Sequence, residues 1–155
     1  MTGKAARVLL IGYGNPGRLD DGLGPRFAQA MENLGLDGLT VESNYQLNVE
    51  DASQVAEHDV VIFADASVDA NEPFEFKKLE PKKALGFSSH SVDPEVVLWL
   101  SDELFKAKSK GFVVAIRGYE FNEFGERLSD KAENNLQKAV DFVSKVIKNK
   151  DFDLV

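Results

Sequence analysis

Residues 7–24 read RVLLIGYGNPGRLDDGLG, and the order of features in this stretch points to the fold class. Arg7–Gly12 holds a short continuous apolar run from Val8 to Ile11, as a strand buried on both faces requires. A glycine-rich loop follows. Over Pro25–Leu34 the apolar residues Phe27, Met31 and Leu34 recur at helical spacing, with Gly35 placed to end the helix. The alternation continues downstream. Leu39–Ser43 (LTVES) reads as a second strand, Asn48–Glu57 as a short helix that Asn48 is placed to cap, and Asp59–Ala64 (DVVIFA) as a third strand. Phe74–Leu79 alternates apolar and polar at its start, which suits an edge strand. Asp93 and Pro94 open a helix with Val97, Leu100 and Leu104 on one face, and Phe112–Ile116 is another buried strand. Ser129–Lys148 then carries Leu136, Val140, Val143 and Ile147 at a 3.6-residue period. Strands alternating with helices predict an α/β domain with a mainly parallel sheet covered on both faces.

Composition narrows the function. The chain has 155 residues, 43% hydrophobic and 28% charged, which fits one globular domain spanning 1–155. Lys and Arg total 18 against 26 Asp and Glu, a net charge of −8 that argues against nucleic acid or an anionic membrane as partner. The N-terminal apolar run stops at Gly12, too short for a signal peptide, and no stretch reaches spanning length, so the expectation is a soluble cytoplasmic protein. There is no cysteine and there are two histidines. Thiolate zinc sites, iron–sulfur clusters and a cysteine nucleophile are therefore excluded, and any metal must be held by carboxylates and at most two imidazoles.

In open α/β sheets function sits outside the carboxyl ends of the strands, which directs attention to four loops, Tyr13–Leu23, Asn44–Leu47, Asp65–Asn71 and Gly118–Glu126. The loop Leu85–Val92 is a candidate for the same edge. Gly12-x-Gly14-x-x-Gly17 matches the dinucleotide fingerprint in form, and Glu42 stands where a ribose-binding carboxylate would. Against that reading, Pro16 lies inside the motif, the helix starts late, and Asp20 and Asp21 bring two anions to the place of the diphosphate. One of the two aspartates can cap the helix, but capping does not need both, and Gly22 and Gly24 predict open space beside them. Asp65 emerges from the third strand at its carboxyl edge. His90 lies in Ser88-Ser89-His90-Ser91, while His58, between Glu57 and Asp59, reads as surface. If the His90 loop folds toward Asp21 and Asp65, two carboxylates and one imidazole suit a borderline divalent ion such as nickel or zinc, with coordination positions left open.

Gly12-x-Gly14-Asn15, then Asp20-Asp21-Gly22-Leu23-Gly24 and Arg26, resembles the N-terminal signature of the hydrogenase maturation endopeptidases. These nickel-dependent proteases clip a C-terminal extension from the large subunit of nickel–iron hydrogenases. Tyr45-Gln46-Leu47, Phe63-Ala64-Asp65-Ala66 and Ser89-His90 extend the match in order along nearly the whole chain. The resemblance implies a single three-layer α/β sandwich of the phosphorylase/hydrolase-like kind, a twisted five-strand sheet between helices. It implies Asp21, Asp65 and His90 as metal ligands, with Asp20 as a supporting or alternative carboxylate. It also implies a monomeric enzyme whose nickel is carried by the substrate, the hydrogenase large-subunit precursor, and recognised there. A non-catalytic hydrogenase assembly factor is the alternative of another class.

Ile11–Gly17 is also similar to the start of bacterial peptidyl-tRNA hydrolases. That family follows its glycines with a catalytic histidine and with basic residues for tRNA. Here Arg18-Leu19-Asp20-Asp21 stands in that place, and the net charge opposes tRNA.

Overall fold

The computed structural model describes residues 6–84 and 92–152. Along these residues run β1 (Val8–Tyr13), α1 (Leu23–Asn33), β2 (Leu39–Asn44), α2 (Asp51–Ala56), β3 (Val60–Ser67), β4 (Phe74–Leu79), α3 (Pro94–Phe105), β5 (Lys110–Arg117) and α4 (Asp130–Asn149). A single 3₁₀ turn, Leu19–Gly22, precedes α1. The strands form one sheet in the order β2-β1-β3-β5-β4. β1 pairs in parallel with β2 and β3, β3 in parallel with β5, and β4 closes one edge antiparallel to β5.

Successive strand side chains point to opposite faces, so each apolar run feeds two cores. Val8, Leu10, Val60 and Ile62 pack with Phe27 and Met31 of α1 and with Leu136, Ala139 and Val143 of α4. Leu9, Ile11, Val61 and Phe63 pack with Val55 of α2 and with Val96, Val97 and Leu100 of α3. None of these eight strand residues is more than 4% exposed, and each such burial contributes about 1.5–3 kcal/mol. The result is a three-layer sandwich, as the sequence predicts. Phe74 and Phe76 of the edge strand turn inward, Phe74 against Phe142 and Phe76 against both Phe112 and Phe142, with ring centroids 5.4 Å apart in each pair.

Several details differ from expectation. α1 begins at Leu23, two residues before Pro25, which is tolerated in a first turn because its missing N–H has no partner there. Leu34 lies just past the helix and is 45% exposed, and Gly35 ends the turn at φ 60°. Asn48 does not cap α2. Asp51 Oδ2 instead reaches back to accept the Asn48 N–H at 2.9 Å. Leu104, in the last turn of α3, is 63% exposed. His58 is buried: its Nδ1 lies 2.8 Å from the Gln54 carbonyl oxygen, and the Ser109 hydroxyl donates to its own carbonyl. β3 runs three residues beyond the expected end because β5 continues to pair with it as far as Ser67↔Arg117, whereas its pairing with β1 stops at Gly12↔Ala64.

Candidate active site

The strand order reverses between β1 and β3, since the chain leaves β1 for β2 on one side and β3 takes the other. A crevice therefore opens beyond Tyr13 and Ala64. The start of α1 is pressed onto these strand ends. A Cβ on Gly24 would lie 2.7 Å from the Ala64 carbonyl oxygen, and one on Gly12 would lie 2.8 Å from the Ala28 Cβ. Gly24 is thus filled by backbone contact, and a Cβ on Gly22 would meet Pro16 Cα at 3.1 Å. The space expected beside the aspartates is taken up by close chain packing.

The turn that follows divides the paired aspartates. Asp20 is completely buried. Its Oδ2 accepts the N–H of Tyr119 at 2.8 Å, the N–H of Glu120 at 3.0 Å and the hydroxyl of Ser129 at 2.7 Å, and its Oδ1 accepts the Ser129 N–H at 2.7 Å. Burial alone would raise its pKa, but four donors outweigh it, led by Ser129, and hold the carboxyl below its ordinary value. Both oxygens are engaged, so Asp20 serves as a clamp joining the first loop to the start of α4. Asp21 is only partly buried and receives one bond, from the Asn15 N–H to Oδ2 at 2.8 Å.

Asp65 lies on β3 one residue past the end of the β1 pairing, still in register with Ala115 of β5. Its Oδ1 accepts the Ala66 N–H at 2.8 Å, and the Tyr13 hydroxyl hydrogen-bonds to the same carboxyl. Burial, the larger cause, and then the charge of Asp21 push the Asp65 pKa up to about 7, although the Ala66 N–H and the Tyr13 hydroxyl favour the ionised form. Tyr13 is held well above its usual pKa by burial and then by Asp65, Glu95 and Asp93. Asp93 and Glu95 stand at the start of α3, so that helix also begins beside the crevice. Of the expected ligands, Asp21 and Asp65 are brought together, Asp20 is turned away from them, and His90 lies outside the described residues, as does the expected placement of its loop. Among the described residues, no three His, Asp or Glu side chains converge to hold an ion.

Two carboxylates that repel one another, one of them in a poorly solvated place, suit a divalent cation, which removes the repulsion and displaces the proton. They do not suit a diphosphate. The loop amides a phosphate would need are already used: Gly14 N–H bonds Asn44, Asn15 N–H bonds Asp21, Gly17 N–H bonds the Asn15 side chain and Arg18 N–H bonds the Asn15 carbonyl. A groove of about 200 Å³ runs from the crevice over Gly14, Pro16, Pro25, Ser43 and Tyr45, and Tyr45 is 72% exposed. Across the crevice the loop after β5 is laced to the first loop, with Leu19 N–H to Gly125 at 2.9 Å and Gly125 N–H to Gly17 at 2.8 Å. The Arg18 guanidinium covers the exposed Phe124 ring at 5.4 Å.

Sequence reasoning missed Tyr13 and Ser129. Tyr13 stands between two glycines and carries no signal of its own in the sequence. Ser129 carries a visible signal as the residue before a long amphipathic helix. Its Oγ accepts from Ala132 N–H as a cap should, and only the fold reveals the second bond to Asp20.

No family model and no curated protein matches the chain. Solved structures do. The [NiFe] hydrogenase maturation protease HycI from Thermococcus kodakarensis KOD1 is similar over 92% of this chain and 93% of its own, at 21% identity and a TM-score of 0.72. A hydrogenase 2 maturation peptidase from Thaumarchaeota archaeon SCGC_AB-539-E09 matches over 92% and 98%, at 21% identity and a TM-score of 0.67. The hydrogenase maturating endopeptidase HybD from E. coli matches over 93% of each chain, at 20% identity and a TM-score of 0.65. The chain has the fold of the hydrogenase maturation proteases.

Proposed function

We propose that the protein is a monomeric, cytoplasmic endopeptidase that removes the C-terminal extension of a nickel–iron hydrogenase large-subunit precursor after nickel has been inserted. The observation that carries this reading is the pairing of Asp21 and Asp65 at the switch-point crevice, with Asp65 pushed up to about 7 by burial and then by Asp21. Among the described residues neither carboxylate makes an ion pair, and nickel arriving with the substrate supplies a counter-charge. The fold shared with three proteins named as maturation proteases or peptidases supports the same reading.

In this scheme nickel is part of the substrate. Asp21, Asp65 and His90 complete its coordination, and the metal fixes the precursor so that the scissile peptide bond lies over the crevice, which contributes orientation as well as polarisation. The Tyr13 hydroxyl and the Ala66 N–H hold the Asp65 carboxylate in place. Asp20 keeps the loop that carries Asp21 in position through Tyr119, Glu120 and Ser129. The chain contains no thiol of its own, which fits a metal whose thiolates belong to the partner.

The test is cleavage of nickel-loaded against nickel-free precursor, followed by mass. Processing of the loaded form alone is expected, and equal processing of both would remove the metal-recognition scheme. An assembly factor would bind the precursor and leave its C-terminus intact.

A further inference from the structure

A second concavity lies on the same carboxyl edge of the sheet, outside the Asp21–Asp65 crevice. It is a groove of about 330 Å³ between the Glu72–Pro73 segment and α4, lined by Tyr119, Lys131, Asn134, Asn135 and Lys138. Lys131, Asn134 and Lys138 fall three to four residues apart, so one exposed face of α4 presents them together. Tyr119 forms the base. Arg117 lies over its ring at 5.2 Å and Lys131 at 5.1 Å, while Asn135 Nδ2 donates to its hydroxyl at 2.9 Å.

Glu72 already displays the chemistry of the groove. The Tyr119 hydroxyl donates to its carboxylate. That bond first, and then the charges of Lys131, Arg117 and Lys138, hold the carboxyl below its ordinary value despite full exposure. Three cations thus face one carboxylate, an excess of two positive charges on a chain whose net charge is −8. Among the described residues neither Lys131 nor Lys138 makes an ion pair within 4 Å. The groove is tied to the reaction edge through Tyr119, whose N–H bonds the Asp20 clamp.

We propose that this groove docks an acidic segment of the polypeptide substrate, whose carboxylates are taken by Lys131 and Lys138 and by the Asn134 amide. Charge complementarity of this kind orients a chain and speeds its capture more than it adds affinity. The identity of the polypeptide as substrate rests on the endopeptidase reading, whereas the preference for an acidic chain does not.

The experiment is fluorescence anisotropy on the full chain with a labelled oligoglutamate peptide, and with oligoglutamine as its neutral match. Oligoglutamate is expected to bind, and to weaken as salt rises from about 0.02 M to about 0.5 M. The charge-reversed variant K131E/K138E should weaken it at least about tenfold with an unchanged thermal melt. The milder K131Q/K138Q should give an intermediate loss, and it decides the matter if the reversed variant is poorly folded. Equal binding of the two peptides, no binding of oligoglutamate, or full affinity in the Gln variant would overturn the proposal. The peptide contains neither nickel nor a processing site, so the result is independent of cleavage. Conversely, His90→Ala should stop precursor processing and leave oligoglutamate affinity unchanged.

Discussion

Ser129, the residue that caps α4, donates its hydroxyl to Oδ2 of Asp20 at 2.7 Å across 109 positions of chain. With the three backbone N–H groups on the same carboxylate, this makes Asp20 the joint between the first loop and the last helix. Asp20→Ala leaves those donors buried and unpaired, and should destabilise the fold by about 3–5 kcal/mol in urea unfolding at neutral pH. Because the folded pKa is lowered, this contribution is present above the ordinary carboxylate pKa and is lost as pH falls through the folded value. The gap between wild type and variant should therefore shrink in acid. A gap that is constant with pH would show that the ionised carboxylate is not what holds the loop.

Asp65 works in the opposite direction. Its folded pKa is raised, to about 7, so its contribution is fully present below the ordinary carboxylate value, falls away as pH rises toward about 7, and is flat above. Asp65→Asn removes this slope. The variant should gain on the wild type across that interval, by about 2–4 kcal/mol once the plateau is reached. Parallel stability–pH curves for the two proteins would contradict the burial described for this carboxyl.

Activity should separate the neighbouring aspartates by mechanism. Asp21→Asn and Asp65→Asn are expected to abolish precursor processing with melts at or above that of the wild type. Asp20→Ala, which releases the loop that carries Asp21, should lose processing together with stability, whereas the other two lose processing alone. His90→Ala should behave as Asp21→Asn does. Full processing by any of the Asp21, Asp65 or His90 variants would take that residue out of the ligand set.

Gly24→Ala offers a test of sign. Alanine in a helix is ordinarily favoured over glycine by about 1 kcal/mol. Here the added Cβ would lie 2.7 Å from the Ala64 carbonyl oxygen and 2.8 Å from the Tyr13 nitrogen. The substitution should therefore destabilise, by about 2 kcal/mol or more, as chemical denaturation would report. A neutral or stabilising result would mean that α1 can retreat from the strand ends.

The sheet was legible because its signals are local. Val8–Ile11 and Val60–Ala64 are apolar at every position, and only a sheet covered on both faces accepts both parities. The candidate site was legible as chemistry, since Asp21 and Asp65 stand at strand and helix ends where the topology opens a crevice. What stayed hidden depends on distant partners. Asp20 and Asp21 differ by one position, and their roles are assigned by a 3₁₀ turn and by Tyr119, Glu120 and Ser129. The charged neighbours of His58 read as surface, yet Ser109, 51 positions away, closes over its backbone. The role of Tyr13 is set by Asp65, its hydrogen-bond partner on β3, 52 positions along the chain.

The Asp20 clamp also orders the birth of the protein. Strands β1 and β3 and both flanking helices of the first half are made early, but the donors that fix the Asp21 loop lie at 119–129. A nascent chain that has emerged only as far as α3 has its aspartates and lacks the groups that hold them. The fixed Asp21 loop therefore arrives in the last stretch of synthesis, after most of the sheet can already form.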